Sequence, residues 1–130
     1  MVIDTSAILA ILLQEPEAER FIRAITAAQT RLLSAASLLE AGMLAQYRSG
    51  DSGNRDLDRL LITLRIEIAT VTEQQAAIAR EAHRRFGKGL HPASLNYGDC
   101  FAYALARESG EPLLFKGDDF SRTDVAIAAY

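Results

Sequence analysis

The sequence predicts an α/β protein in which a parallel β-sheet is flanked by helices. Three observations lead to this prediction. Short apolar runs alternate with longer helix-forming segments along the whole chain, an order typical of parallel sheets. Several of these runs are followed directly by residues that cap helices. The chain has 130 residues, 49% of them hydrophobic, so one domain spanning 1–130 has enough apolar surface for a core of its own.

The first half of the chain has clear helix boundaries. Residues 4–6, Asp-Thr-Ser, offer an N-cap directly after the first apolar run, and Pro16 ends the helix that follows. The Ser49-Gly50 pair closes a later, strongly apolar helix. The predicted elements are a strand at 1–3, helices from 4–6 to about 14 and at 17–28, a strand at 31–33 and a helix at 34–47.

The second half of the chain continues the alternation. Leucines three, four and seven positions apart predict a helix at 57–64, and alternating β-branched residues predict a strand at 66–71. Thr72 and Gln75 are the ends of a predicted capping box, while Asn96 and Gly110 bound another helix. The remaining predictions are helices at 73–86 and 96–108, a loop at 87–95, a strand at 112–115, a turn at 116–119 and an edge strand at 125–128.

Acidic residues follow two of the predicted strands. Asp4 comes after the first strand, and Asp118 and Asp119 come after the strand at 112–115. Ligands of parallel sheets bind beyond the carboxyl ends of the strands, so we expect these acids on one edge of the sheet. Asp4 is alternatively a simple helix cap. If Thr5 or Ser6 provides the cap instead, the Asp4 carboxylate is free to face outward.

Two further acids lie within apolar helical surroundings. Glu40 has apolar neighbours on nearly every side, so it needs a cation or a raised pKa if it is buried; the alternative is a salt bridge to an arginine. Asp99 lies in the first turn of its helix, where it could simply interact with the helix dipole. The face that it shares is apolar, which points Asp99 toward the core and toward Asp4.

A convergence of these acids requires a cation. Bringing two carboxylates to about 4 Å costs roughly 4 kcal/mol at an effective dielectric constant near 20. No histidine accompanies the acids and Cys100 is the one cysteine, which disfavours zinc. Oxygen ligands favour Mg²⁺ or Mn²⁺, and carboxylates that hold Mg²⁺ usually act on phosphates.

Four segments of the chain contain the acids in a distinctive context. They are Met-Val-Ile-Asp-Thr-Ser at 1–6, Glu40 in its apolar helix, Asn-Tyr-Gly-Asp-Cys-Phe-Ala-Tyr-Ala-Leu-Ala at 96–106 and Leu-Leu-Phe-Lys-Gly-Asp-Asp-Phe at 113–120. Together they resemble the PIN domain, and in particular the VapC-type toxins of bacterial toxin–antitoxin pairs. The resemblance extends over essentially the whole chain. It implies a Rossmann-like sheet and Mg²⁺- or Mn²⁺-dependent cleavage of RNA. It also implies a homodimer and inhibition by a cognate antitoxin, in a heterotetramer or larger assembly.

The resemblance also assigns roles to residues. Asp4, Glu40 and Asp99 match the first three catalytic acids of the family, with Asp4 and Asp99 expected at the metal. Ser6 matches a supporting hydroxyl beside it.

The fourth catalytic acid is either Asp118 or Asp119. Gly117 begins the turn because glycine takes positive φ at little cost. Adjacent side chains of an extended segment point to opposite sides, and the apolar Phe120 is expected beneath the sheet. Asp118 then lies on the side of Phe120, which favours Asp119 as the acid on the catalytic edge.

Charge and apolar pattern suggest two binding surfaces. The net charge of −3 argues against RNA binding by overall electrostatics, but the basic stretch with Arg84, Arg85 and Lys88 offers RNA contacts, unless it is only a solvated face. Six leucines exceed what two amphipathic helices need for a small core, and we expect part of them to form a groove for an antitoxin helix; the alternative is ordinary core. They are Leu38, Leu39, Leu57, Leu60, Leu61 and Leu64.

Two other classes of function stay open. One is a phosphohydrolase or phospho-acceptor domain with Asp4 as nucleophile, although a haloacid-dehalogenase-like enzyme would carry an Asp where Ser6 stands. The other is a non-catalytic binding module that has kept the fold. In each case we expect a cytoplasmic protein without a membrane segment, because no secretory signal pattern is visible and Cys100 cannot form an internal disulfide.

Overall fold

The computed structural model describes residues 1–130. Its helices and strands follow one another in the predicted order. They are β1 (Val2–Ile3), α1 (Thr5–Leu12), α2 (Ala18–Ala27), β2 (Leu32–Ser34), α3 (Ala35–Thr63), β3 (Glu67–Ala69), α4 (Glu73–Phe86), α5 (Tyr97–Ser109) and β4 (Leu113–Leu114), followed by a 3₁₀ turn at Phe120–Arg122. None of the helices has both the length and the hydrophobicity needed to cross a bilayer.

The four strands form one parallel sheet in the order β3-β2-β1-β4. Val2 of β1 pairs with Leu32 on one side and with Leu113 on the other. The predicted edge strand at 125–128 is reduced to a single bridge between Leu113 and Ile127. The order of the strands reverses between β1 and β4, so Asp4, the residue after β1, stands at the switch point where ligands of such sheets bind.

Helices cover both faces of the sheet. Ile3, Leu33 and Leu114 contribute to one hydrophobic cluster, which they share with α1, α2 and α3. Val2 and Leu113 contribute to the other, with α4 and α5. Successive strand side chains point to opposite faces, so even two-residue strands anchor both clusters. The predicted α/β fold with a flanked parallel sheet is confirmed.

A break divides α3 at the predicted place. Gly50 has φ 59° and ψ −149°, outside the helical region, so the helix has two segments, 35–49 and 51–63. The second segment starts earlier than the leucine pattern predicts. Gly53 explains the difference, because a Cβ at this position would lie 2.4 Å from the carbonyl oxygen of Ala45. The backbones of the two segments thus approach closely at Gly53. A contact of this kind is not visible as a hydrophobic pattern in the sequence.

The six leucines divide between the core and an open groove. Leu57, Leu61 and Leu64 are buried in the core, while Leu38 and Leu60 pack against it, because the second segment of α3 folds back onto the first. Leu38, Leu39 and Leu57 also line a groove on α3, so the prediction that part of the set forms an antitoxin groove stays a prediction. The sixth, Leu39, is 66% exposed.

Of the two capping motifs at α4 and α5, only one is complete. Thr72 accepts a hydrogen bond from the Gln75 backbone at 3.1 Å, but the Gln75 side chain donates to Glu108 at 2.6 Å instead of returning to the cap. The full reciprocal box is found at α5, between Asn96 and Asp99. The prediction at Thr72 is thus half right, since a longer-range partner takes the Gln75 amide.

Candidate active site

The first part of the candidate site lies where β1 and β4 end and α1 begins. Ser6 Oγ donates to Asp4 Oδ2 at 2.6 Å and accepts from the backbone N–H of Lys116 at 3.0 Å. Lys116 lies two residues after the end of β4. One hydroxyl therefore connects the ends of two neighbouring strands and fixes Asp4 between them.

Asp4 itself caps α1. Its Oδ2 accepts from the backbone N–H of Ser6 at 2.9 Å, so of the two alternatives left open by the sequence, a cap at Asp4 is the one observed. Both hydrogen bonds go to Oδ2 and none to Oδ1, so one oxygen caps while the other is left for a ligand. Asp4 is 4% exposed, and this burial raises the pKa of its carboxyl, to which the charge of Glu40 adds.

Glu40 is held in the site without a basic partner. The Thr5 hydroxyl donates to Glu40 Oε2 at 2.7 Å, and no salt bridge to an arginine forms, contrary to the alternative drawn from the sequence. The carboxylate also rests on the first turn of α5, where a Cβ at Gly98 would lie 2.6 Å from each of its oxygens. Sequence reasoning missed the roles of Thr5 and Gly98; a glycine inside the first turn of a helix is the one signal of such a close approach.

Asp99 faces the same place from α5. Its Oδ2 accepts from the Asn96 backbone at 2.7 Å, and Asn96 Oδ1 accepts from the Asp99 backbone at 3.0 Å. Partial burial, together with the charges of Asp4, Asp119 and Glu40, raises the pKa of Asp99 to about 7, although the hydrogen bond from Asn96 lowers it. Four acids from separate parts of the chain therefore share one electrostatic field.

The two adjacent acids after β4 differ in their relation to this field. Both are exposed, but only Asp119 contributes to the pKa of Asp99. Gly117 has φ 102°, and Phe120 is buried edge-on against Phe115, with ring centroids 5.0 Å apart. Asp119 has helical backbone angles and precedes the 3₁₀ turn at Phe120–Arg122, so the extended segment that we predicted for the two acids is wrong, although Asp119 still acts on the pKa of Asp99.

The donor set suits a hard divalent cation. All four groups offer oxygen atoms only, the kind of ligand that Mg²⁺ and Mn²⁺ prefer. No three acidic, histidine or cysteine side chains meet at the spacing of a finished metal site, so the acids are gathered but not closed around one point. Asp4 and Asp99 each use Oδ2 for capping and keep Oδ1 without a hydrogen bond. The residues present therefore fit such an ion in type and number.

The predicted RNA-binding cations have different surroundings. Arg84 pairs with Glu81 at 2.6 Å, and Arg85 pairs with Asp124 at 3.0 Å. Lys88 forms no salt bridge, and its backbone N–H donates to the carbonyl of Leu95 at 2.9 Å, directly before the cap of α5. Of the three, Lys88 is the one that is both unpaired and tied to the segment leading into the site.

Comparison with known proteins gives one consistent result. The model of the PIN domain family matches residues 1–126. Ribonuclease VapC30 of Mycobacterium tuberculosis is 52% identical over 129 residues, which cover 99% of this chain and 98% of that protein.

Solved structures share the fold at low sequence identity. The VapC20 toxin of Mycobacterium tuberculosis, which cleaves the sarcin–ricin loop, aligns with a TM-score of 0.77 at 17% identity over 96% of this chain and 95% of that one. A chain of a toxin–antitoxin complex from Klebsiella pneumoniae aligns with a TM-score of 0.74 at 15% identity, covering 99% and 97% of the two chains.

Proposed function

The chain belongs to the PIN-domain family as a VapC-type toxin, and from this premise we propose that it is an endoribonuclease dependent on Mg²⁺ or Mn²⁺. The observation that carries the proposal is the meeting of four acids, where partial burial and the charges of the other three acids together raise the pKa of Asp99 to about 7. Such a concentration of carboxylates is costly unless a cation offsets it. The 52% sequence identity to a ribonuclease over 99% of this chain supports RNA as the substrate.

In the proposed mechanism Asp4 and Asp99 would hold a divalent metal ion through the oxygens that capping leaves free. Such an ion would supply an activated water and would neutralise charge on the leaving oxygen. Ser6 keeps Asp4 in place between β1 and β4. Glu40 uses Oε2 to accept from Thr5, so its Oε1 is available to accept a proton from the attacking water. Asp119 is exposed and acts on the pKa of Asp99, so its effect on the ion would be less direct.

The alternative with Asp4 as a covalent nucleophile has less support. Asp4 Oδ2 is occupied by two hydrogen bonds, and the residue is almost fully buried. Ser6, which stands where a phosphohydrolase would need a second acid, instead orients Asp4. The other alternative, a non-catalytic module, has less support as well, because it gives no reason for four acids to lie close enough to act on one pKa.

The test is cleavage of single-stranded RNA by the purified chain. We expect Mg²⁺ or Mn²⁺ to support cleavage, excess chelator to stop it, and Asp99→Asn to abolish it without unfolding the protein. Asp56→Asn is the matched control, because Asp56 forms only an exposed pair with Arg59 on α3 and should leave cleavage unchanged. Full activity in chelator would refute the metal, and absence of cleavage by the wild-type chain with metal would refute the enzyme.

We further propose that a helix of the cognate antitoxin binds an exposed row on α3, made of Leu39, Met43 and Tyr47. They stand four residues apart and are 66%, 64% and 89% exposed, and they line a groove of about 720 Å³. Such spacing suits an apolar helix lying in a groove. The structure from Klebsiella pneumoniae is itself a toxin–antitoxin complex, which supports this kind of partner.

Substitution of the row should weaken antitoxin binding specifically. We expect Met43→Asp to lower the affinity of the cognate antitoxin in calorimetric titration. Ile62→Asp is the control, since Ile62 is 77% exposed on the second segment of α3 and does not line the groove. Equal losses for both variants would reject this row as the binding surface.

Oligomeric state and RNA contacts complete the proposal. A homodimer, assembling into a heterotetramer or larger complex with antitoxin, rests on the family resemblance. Light scattering of the free toxin should give a dimer mass. Lys88, with Arg84 and Arg85 if they exchange their exposed ion pairs for phosphates, is proposed to contact RNA, because such surface pairs contribute little.

A further inference from the structure

An open cleft between α4 and α5 lies outside the residues that hold the metal in the proposed mechanism. Its volume is about 580 Å³, within the ~300–1,000 Å³ typical of small-ligand pockets. Ala79 and Cys100 form its buried floor. Burial raises the pKa of the Cys100 thiol to about 11, so the floor carries no charge at neutral pH.

The wall formed by α5 is aromatic. Tyr97 is 81% exposed, and its ring meets that of Phe101 edge-on at 5.0 Å between centroids. Phe101 supports the Tyr97 ring from one side while leaving most of it open. An exposed tyrosine buttressed in this way offers a flat surface on which another planar group can stack.

The opposite wall, formed by α4, carries two polar side chains without partners, Arg80 and His83. Neither the Arg80 guanidinium nor the His83 imidazole takes part in a hydrogen bond or salt bridge, whereas Arg84 on the next turn is bound to Glu81. The His83 ring lies against Gly87, where a Cβ would come within 2.7 Å of Cδ2. An aromatic wall that faces the unpaired Arg80 guanidinium is complementary to a base and its phosphate.

The position of the cleft connects it to the proposed chemistry. Tyr97 and Cys100 flank Gly98 and Asp99 in the first turns of α5. After burial, the charge of Asp99 is the second cause of the raised pKa of the Cys100 thiol. A nucleotide chain with its phosphate at the acids therefore has its neighbouring base within reach of the cleft. Arg85, by contrast, lines a separate depression with Tyr103 and Arg107.

We propose that this cleft holds one base of single-stranded RNA beside the scissile phosphate, with Tyr97 stacking on the base and Arg80 contacting a backbone phosphate. The inference rests on the proposed ribonuclease function for the identity of the ligand. It adds a binding subsite made of residues that take no part in the proposed chemistry.

The test measures binding rather than cleavage, so that it stands apart from the test of the enzyme. A fluorescently labelled single-stranded oligoribonucleotide is titrated with the inactive Asp99→Asn protein, and then with the same protein carrying Tyr97→Ala, Tyr97→Phe or Arg80→Gln. Tyr130→Ala is the matched control, because Tyr130 is 50% exposed and packs on Phe21, on the opposite face of the sheet.

Stacking and phosphate contact give different signatures. We expect Tyr97→Ala to weaken binding about tenfold with an unchanged salt dependence, and Tyr97→Phe and Tyr130→Ala to bind like the parent. Arg80→Gln should weaken binding and also reduce the slope of log affinity against log salt by about 0.7. An abasic site next to the cleavage position should reproduce the loss and add nothing in Tyr97→Ala.

Two results would overturn the proposal. One is equal affinity of the Tyr97→Ala and Tyr130→Ala proteins for RNA. The other is a Tyr97→Ala protein that loses self-association in light scattering while keeping RNA affinity, which would make the cleft a contact between copies of the chain. If the wild-type chain fails to cleave RNA but Tyr97 still governs binding, the proposed enzyme is refuted and the subsite is retained.

Discussion

Gly98 shows how a single missing side chain shapes the candidate site. The Glu40 carboxylate occupies the space that a Cβ at position 98 would fill. Because Glu40 and Gly98 lie on different helices, this contact fixes the distance between α3 and α5 at the site. The same carboxylate is steadied by Thr5 from α1, so three helices meet at one acid.

The Gly98→Ala variant tests the positioning of Glu40 separately from the stability of the fold. The far end of the Glu40 side chain can swing away from a new methyl group, and alanine suits a helix better than glycine, so the free energy of unfolding should change by less than about 1 kcal/mol. Displacement of Glu40 should nonetheless lower kcat for RNA cleavage by about a hundredfold. The measurement is steady-state cleavage alongside thermal unfolding.

A double-mutant comparison controls this prediction. In a Glu40→Ala background the clash is gone, so adding Gly98→Ala should cost nothing further in kcat. An equal loss in both backgrounds would mean that Gly98 acts on something other than Glu40.

The two acids after β4 provide a second prediction at the residue scale. Asp119, which contributes to the raised pKa of Asp99, should matter for the metal, and Asp118 should not. We expect Asp119→Asn to raise the Mg²⁺ concentration needed for half-maximal cleavage roughly tenfold. Asp118→Asn is the matched control, and the reverse order of the two variants in a Mg²⁺ titration would show that our assignment is shifted by one residue.

At this scale the sequence indicated which acids meet but not how they are held. Asp4, Glu40 and Asp99 follow from their places beyond a strand, in an apolar helix and in a first helical turn. The contacts of Thr5 and Gly98 with Glu40 span 35 and 58 positions, and no local pattern encodes them. The sequence offered three possible caps for α1, and only the tertiary position of Ser6 shows that Asp4 is the cap.

At the scale of elements, the break in α3 is the feature that determines packing. The two segments of α3 fold against each other where Gly53 meets the carbonyl of Ala45. Leu57, Leu61 and Leu64 reach the core only through this fold-back. The elements with apolar periodicity were predictable, but residues 51–56 are polar, and their helix depends on contacts that periodicity does not describe.

The Gly53→Ala variant tests this packing. A Cβ at position 53 would lie 2.4 Å from backbone, which cannot move aside as a flexible side chain does. We expect a loss of about 1–3 kcal/mol in the free energy of unfolding, measured by denaturant titration. Gly42→Ala is the control, because its nearest neighbour is the Asn54 side chain at 3.2 Å and its effect should be neutral or favourable.

For the molecule as a whole, the net negative charge repels the proposed substrate, which is also negatively charged. The net charge is −3, and the candidate site concentrates acids rather than bases. In the proposed function, attraction for RNA would therefore come from the proposed cation and from basic groups around the cleft and the start of α5, such as Arg80 and Lys88. Both side chains are free of salt bridges. The sequence shows the overall charge correctly, but only the fold shows which basic residues are unpaired.

The same acids predict an unusual pH dependence of the whole fold without metal. The pKa of Asp99 is about 7 in the folded protein against 3.8 as its ordinary value, and burial also raises the pKa of Asp4. The folded state thus binds more protons than the unfolded state between these limits. Stability should be greatest near pH 4 and should fall as the pH rises to about 7, by roughly 2 kcal/mol once the partial exposure of Asp99 is allowed for.

Thermal unfolding in excess chelator from pH 4.5 to 8 checks this prediction, with acid-state denaturation avoided by staying above about pH 4. Divalent cation should stabilise the fold most at the alkaline end, because there it replaces the protons that the carboxylates have lost. Asp99→Asn, which removes the main titrating group, should flatten the slope in chelator and weaken the stabilisation by Mg²⁺. A metal-free protein that becomes more stable between pH 5 and 7 would show that the acids do not share one field, and the case for a cation between them would fail with it.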